Sequence, residues 1–166
     1  MIRRKKELLI FFNLICLPFF IILSPGWLKI NGIPPCWPVV FLLPFSLTNN
    51  PKRSAIASIL LGIFIDSFRV GSVSYIPSLL FLSFVWSQYG LHNEKIELFL
   101  NIGLMAIFGT AVVGFSIWLQ EIFLHSILRN NWFHSWSFYV LISEMIITGL
   151  VAPLFSTWLL FTYKKN

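Results

Sequence analysis

Six runs of apolar residues, joined by short polar connections, constrain the fold of this chain more than any other feature. A helix needs about 20 mostly apolar residues to cross a bilayer. Only 11% of the 166 residues are charged and 57% are hydrophobic, whereas a soluble domain carries about a quarter charged residues. The sequence therefore predicts an all-α membrane protein, a single polytopic domain over residues 1–166, with helices at approximately residues 8–23, 33–47, 55–68, 74–89, 98–124 and 138–161.

The second run, Ile33 to Leu47, is short and contains two prolines, so by length alone it could dip into the membrane and return. The basic clusters favour a crossing. The cluster Arg3–Lys6 precedes the first run, and the pair Lys52–Arg53 follows the second. If both clusters are cytoplasmic, an even number of crossings lies between them, and the second run must cross.

Six crossings place both termini in the cytoplasm. Nine of the lysines and arginines then lie inside and three outside (Lys29, Arg69 and Arg129), as the positive-inside rule requires. Tryptophan and tyrosine side chains prefer the membrane interfaces. The topology predicts an outer belt of Trp27, Trp37, Trp132 and Trp136 and an inner one of Trp86 and Tyr163.

The distribution of charge also bears on the class of partner. Most of the lysines and arginines that give the net charge of +6 lie in short clusters beside apolar runs, which is typical of membrane topology and argues against nucleic-acid binding. The N-terminal run lacks a small-x-small cleavage pattern, so we interpret it as an uncleaved helix and not a signal peptide. Cys16 and Cys36 are interpreted as small apolar residues.

Chemistry-bearing motifs are absent from the sequence. His92, His125 and His134 lack metal-ligand spacing, and there is no nucleophile elbow, Walker loop or dinucleotide fingerprint. The sequence therefore predicts a protein that is not an enzyme and has no cofactor, metal or catalytic residues.

Small residues recur every fourth position on three of the predicted helices. Such stripes allow helices to approach closely in lipid, so they predict a compact bundle. The stripes are Ser58, Gly62 and Asp66; Ala106, Thr110 and Gly114; and Glu144, Thr148, Ala152 and Ser156.

Asp66 is out of place beside an apolar run, and two interpretations are open. In the functional one it lines a polar pocket or contacts a partner. In the structural one, which we favour, it pins the turn between Arg69 and Ser74 by accepting hydrogen bonds from the Gly71 or Ser72 backbone. For Glu121 and Glu144 we favour plain placement near the outer interface, where a carboxylate costs less than at the bilayer centre.

The stretch "GIPPCWPVVFLLPFSL" (Gly32 to Leu47), the basic turn after it, and "LLGIFIDSFRVG" (Leu60 to Gly71) resemble the rod-shape-determining protein MreD family. The likeness covers roughly Gly32 to Leu79; the remainder matches in hydropathy alone. One departure is that Ser67-Phe68-Arg69-Val70 intervenes before Gly71, where many members have a small Gly- and Pro-containing turn.

The resemblance implies a non-enzymatic subunit of the complex that elongates the bacterial cell wall, in the plasma membrane. Its expected partners are MreC, membrane lipids and, indirectly through the complex, the actin-like MreB, a glycan polymerase of the shape and division family and a class B penicillin-binding protein. The implied fold is similar to the six-helix substrate-binding subunits of energy-coupling-factor transporters.

Two functions are therefore weighed. The first is an assembly protein that binds MreC and positions wall-synthesis enzymes; an exposed small stripe, such as Ala106, Thr110 and Gly114, would be the docking face. The alternative is the substrate-binding subunit of a vitamin transporter, with Asp66, Glu144 and Arg129 around an outer polar pocket. An intramembrane enzyme using Asp66 with Glu144 is disfavoured, because nothing brings the two carboxylates together.

Overall fold

The computed structural model describes Gly26, Lys29 and residues 32–68, 73–92, 99–125 and 138–164. These residues form five α-helices, which confirms the all-α prediction for this part of the chain. The helices are α1 (Trp37–Thr48), α2 (Pro51–Phe68), α3 (Ile76–His92), α4 (Phe99–His125) and α5 (Phe138–Lys164). The first predicted helix, residues 8–23, lies outside the described residues.

The other five predicted runs each coincide with a helix, and the main differences are at the ends. α1 begins at Trp37 rather than Ile33, because each residue before a proline is pushed towards extended backbone and Pro34 and Pro35 follow Ile33 directly. α2 begins at Pro51 rather than Ala55. Proline suits the first turn of a helix, so the helix includes the polar residues that the apolar run leaves out.

Contacts between the helices define their directions. Ser58 lies against Ser83 and Asp66 against Ser74, so α2 and α3 are antiparallel. Gly109 lies against Trp86 and Gln120 against Ser74, so α3 and α4 are antiparallel too.

The last two helices extend this pattern. Gly149 lies against Ile107 and Pro153 against Gly103, so α5 runs antiparallel to α4. α1 and α5 are parallel, because Cys36 meets Thr148 and Phe41 meets Phe155. The direction of the chain thus alternates from helix to helix.

α1 is the centre of the bundle. It packs against each of the other four helices, and five consecutive residues, Val39 to Leu43, are at most 6% exposed. A helix that is apolar on every side has to be covered on every side, and α1 is apolar from Trp37 to Phe45.

The outer surface of the described bundle is more apolar than that of a water-soluble protein. Among the described residues, ten serine and threonine side chains are buried together with the apolar core, while the exposed faces of α2 to α5 carry large apolar side chains such as Ile63, Phe84, Phe108 and Leu154. By length and composition, two of the described helices could cross a membrane, at Leu100–Leu124 and Phe138–Thr157.

The prediction that Trp37 and Trp86 belong to the interfacial belts is wrong. Trp37 is 4% exposed and Trp86 is 1% exposed, so both lie in the core. The Trp86 ring lies against Gly109 of α4, and Trp37 packs near Phe41. Trp27, Trp132 and Trp136 lie outside the described residues.

Candidate functional site

Asp66 lies near the end of α2 and joins it to the start of α3. One carboxylate oxygen, Oδ2, accepts a hydrogen bond from the Ser74 hydroxyl at 2.6 Å, and the other, Oδ1, accepts one from the Tyr75 backbone N–H at 3.1 Å. The Ser74 hydroxyl in turn accepts a bond from the Ile76 N–H at 3.2 Å. A carboxylate at a helix N-terminus satisfies N–H groups that have no partner within the helix.

These donors differ from those the sequence predicts. Gly71 and Ser72, the expected donors, lie outside the described residues. The donors that the structure shows, Ser74 and Tyr75, come two to four residues later in the chain. Asp66 therefore holds the two residues that immediately precede α3.

Gln120 of α4 completes this polar cluster, and the sequence interpretation missed it. Its side-chain oxygen accepts a hydrogen bond from the Ser74 N–H at 2.9 Å, and its amide nitrogen donates to the Ser74 carbonyl oxygen at 2.9 Å. The same nitrogen lies 3.3 Å from the Ser116 hydroxyl. We call Asp66, Ser74, Tyr75 and Gln120 the clasp, because these residues hold α2, α3 and α4 together at one end.

A signal for Gln120 was present in the sequence. An amide within a long apolar run is costly unless it is paired, and Gln120 is the only glutamine in the fifth predicted run. Its partner could not be inferred, because it is the backbone of a residue 46 positions earlier in the chain.

The rest of the α2–α3 interface is a seam of small residues. Ser58 is fully buried and its hydroxyl accepts a hydrogen bond from the Ser83 hydroxyl at 3.2 Å. A Cβ atom on Gly62 would lie 2.7 Å from Ile76 Cγ1 and 3.1 Å from Ile76 Cα. The stripe of Ser58, Gly62 and Asp66 thus faces α3, as expected for close helix packing.

The stripe of Ala106, Thr110 and Gly114 is not a docking surface. Ala106 and Thr110 are 0% and 1% exposed, and Gly114 is buried as well. The Thr110 hydroxyl donates to the Ala106 carbonyl oxygen at 2.9 Å. The expectation that this stripe is exposed is wrong, because the small residues turn inward and the large ones, such as Phe108 and Phe115, turn outward.

The third stripe fixes α5 to the start of α1. Thr148, Ala152 and Ser156 are fully buried, and Glu144 is half-buried. The Thr148 hydroxyl accepts a hydrogen bond from the Cys36 N–H at 2.9 Å and donates to the Glu144 carbonyl oxygen at 2.6 Å. The hydroxyl therefore satisfies a backbone donor at the start of α1, where the helix itself offers no acceptor.

The remaining candidates do not form a site in the described part of the chain. Among the described residues, no three His, Cys, Asp or Glu side chains are grouped so that they could hold a metal ion. Glu121 is half-buried on α4. Arg129 and His134 lie outside the described residues. The contacts that the structure shows hold the helices in place: the clasp, the seam between α2 and α3, and the contact of Thr148 with the start of α1.

Comparison with known proteins gave no relatives. No protein-family model, no curated protein and no solved structure matches this chain.

Proposed function

We propose that this chain is an integral membrane subunit of the bacterial cell-wall elongation complex. In this proposal it crosses the plasma membrane six times, with both termini in the cytoplasm and a bundle similar to the energy-coupling-factor substrate-binding subunits. It is not an enzyme; it binds MreC and helps to position the enzymes of peptidoglycan synthesis.

The apolar outer surface of the described helices supports the membrane part of this proposal. Water-soluble proteins rarely expose large contiguous apolar patches, yet apolar side chains cover the outer faces of four described helices. Hydroxyl and glycine seams hold the helices together inside, as in bundles surrounded by lipid, where the hydrophobic effect between helices is missing. The alternating helix directions fit successive crossings.

One observation supports the assembly role most directly: residues of the stretch that resembles the MreD family lie at the contact between α2 and the start of α3. Gly62 and Asp66, the pair that closes "LLGIFID", lie against the start of α3. Gly62 allows the backbones to approach and Asp66 satisfies the helix start, so the motif closes the α2–α3 hairpin. A motif with this role preserves a bundle shape, which is what an assembly subunit presents to its partners.

Depletion of the protein in its native cell, followed by microscopy, tests the cellular role. We expect rod-shaped cells to widen or become round, and a plasmid copy of the wild-type gene to restore the rods. Cells that keep their shape but acquire a nutrient requirement would contradict the proposal and favour the vitamin transporter.

Co-purification tests the partner directly. Affinity-tagged protein extracted from native membranes in mild detergent should retain MreC, and a tagged unrelated six-helix membrane protein should not. In parallel, a vitamin that binds only the folded form must raise the apparent melting temperature of the purified protein. A vitamin-dependent rise together with no retained MreC would overturn the proposal.

A further inference from the structure

The outer face of α2 begins with two positive charges and continues as an apolar stripe. Lys52 and Arg53, in the first turn, are both exposed. The exposed side chains that follow them, as far as position 63, are all large and apolar: Ile56, Ile59, Leu60 and Ile63. These four stand 4, 7, 8 and 11 residues after Lys52, so they lie on the same face of the helix as the lysine. Arg53 lies at the edge of this face.

The two cations have no anionic partner within the described part of the chain. No ion pair or hydrogen bond of the Lys52 or Arg53 side chain is found there. The acid of the same helix, Asp66, lies about 20 Å further along it and already accepts hydrogen bonds at the clasp. The pair therefore presents its charge to an anion outside the described bundle.

The apolar stripe is better suited to acyl chains than to another helix. Helices in lipid pack closely where small residues line the contact. α2 has such residues, but Ser54, Ser58 and Gly62 are buried, and the last two lie against α3. The exposed face carries only long or branched side chains, which hold a neighbouring backbone at a distance but adapt to a flexible chain.

The charge also disfavours a second copy of the protein on this face. In a two-fold dimer the same surface patch meets itself. Two chains with the same orientation in the membrane would then bring four positive charges together at one depth, and like charges repel more strongly beside a low-dielectric medium. An anion at this position removes the repulsion instead of adding to it.

The length of the face matches one lipid molecule. Lys52 and Ile63 are 11 residues apart, which is about 16 Å along a helix, and one leaflet of the hydrocarbon core is about 15 Å thick. An arginine guanidinium binds phosphate oxygens through two parallel hydrogen bonds, and a lysine adds a point charge. The face therefore offers a phosphate site at one end and an apolar track of one acyl chain beside it.

We propose that the outer face of α2 is a binding site for an anionic phospholipid. The phosphate lies against Arg53 and Lys52, and one acyl chain lies along Ile56, Leu60 and Ile63. Each cation favours an anionic lipid over a zwitterionic one by about fivefold. The inference rests on the membrane part of the proposed function and is independent of MreC.

Quenching by brominated lipids tests this site in the full-length protein in bilayers. A fluorophore is attached to Leu60→Cys in a background with Cys16→Ala and Cys36→Ala, and the acyl chains of the probe lipids are brominated near their middle. Brominated phosphatidylglycerol should quench at several-fold lower mole fraction than brominated phosphatidylcholine. The difference should shrink at high salt, which screens the charges. Equal quenching by the two lipids at low salt would overturn the proposal.

Charge variants identify the groups that select the lipid. Lys52→Gln with Arg53→Gln should abolish the preference for phosphatidylglycerol, whereas Lys52→Arg with Arg53→Lys keeps both charges and should retain it. Both double variants should melt at the wild-type temperature in phosphatidylcholine, because the exposed cations have no partner to lose there. A preference that survives the loss of both charges would overturn the proposal.

A matched position on α4 separates a site from a general property of the surface. Phe115 is 58% exposed and Leu60 is 52% exposed. The contacts of α3 with α2 and α4 put both residues about level with Leu80. The fluorophore on Phe115→Cys should be quenched equally by the two lipids. The same preference at both positions would overturn the proposal, because the whole surface would then select anionic lipid.

The same measurement distinguishes failure of this inference from failure of the membrane part of the proposed function. Quenching at Phe115→Cys but not at Leu60→Cys, with either lipid, would mean that protein covers the face of α2. That result would overturn the lipid site and leave the membrane placement intact. Absence of quenching at both positions would overturn the membrane placement and the lipid site together.

Discussion

At the residue scale, Asp66 is held by two hydrogen bonds from Ser74 and Tyr75, the residues just before α3. We expect Asp66→Leu to destabilise the protein by about 2–4 kcal/mol, because it leaves the Tyr75 N–H unpaired and removes a charged acceptor. Asp66→Asn retains one oxygen acceptor and should lose about half as much. Unfolding in a mild detergent measures both. The neighbouring Ser67→Ala is the matched control. If Asp66→Leu destabilises the protein no more than this control does, Asp66 does not contribute to the stability of the clasp.

Gln120 allows a separate test of the clasp. Gln120→Leu leaves both the N–H and the carbonyl oxygen of Ser74 without their partner, so we expect a loss of about 1–3 kcal/mol. The exposed glutamine of α3, in the variant Gln88→Leu, should change stability by less than about 0.5 kcal/mol. Equal effects of the two substitutions in the same unfolding measurement would show that the paired bonds to Ser74 contribute nothing.

These residues also show what the sequence could and could not reveal. The stripe of Ser58, Gly62 and Asp66 follows from helical spacing alone, and its direction towards a neighbouring helix could be inferred from residue size. The partners could not, since Ser74 and Gln120 meet only after α3 and α4 have packed, and that register is set by contacts distant in the sequence.

At the scale of helices, glycines set how closely neighbours approach. A Cβ atom on Gly90 would overlap the Leu47 backbone carbonyl of α1, whereas one on Gly149 would meet Cγ1 and Cδ1 of the Ile107 side chain. A side chain moves aside more readily than a backbone does. We therefore expect Gly90→Ala to lower the free energy of unfolding by about 3 kcal/mol and Gly149→Ala by about 1 kcal/mol.

The comparison of the two glycine variants is a sharp test of the α1–α3 packing. Both substitutions remove a helix glycine, which by itself favours the helix by roughly 1 kcal/mol, so the propensity gain cancels between them. Similar unfolding midpoints for Gly90→Ala and Gly149→Ala would mean that α1 and α3 do not approach as closely as the structure shows.

Helix positions were more predictable than helix faces. Hydropathy located five helices that the structure describes, because apolar runs of this length have few alternatives. Hydropathy indicates how deep a residue lies in the membrane, but not which side of the helix it is on. The prediction therefore put Trp37 and Trp86 in the interfacial belts. Both rings point inward, where Trp86 fills the space left by Gly109. The same limit made the buried stripe of Ala106, Thr110 and Gly114 look exposed.

At the scale of the whole molecule, the two ends of the described bundle differ in chemistry. The clasp closes one end, and Lys52 and Arg53 are exposed at the other. If the helices cross a membrane in the alternating directions that their contacts define, the clasp belongs to the outer side and the basic pair to the cytoplasm. Because the two ends differ, an experiment can determine which end of the bundle faces which side of the membrane.

Thiol labelling of single cysteines in intact spheroplasts tests this orientation. Ser67→Cys and Lys52→Cys are exposed positions towards opposite ends of α2, placed in a background with Cys16→Ala and Cys36→Ala. A membrane-impermeant maleimide should label Ser67→Cys from outside, and Lys52→Cys only after the membrane is opened. The same helix carries both sites, so expression and folding are matched. Labelling of both positions from outside would mean that α2 does not cross the membrane, and the six-crossing bundle would have to be abandoned; the reverse order would keep the crossing but invert the topology.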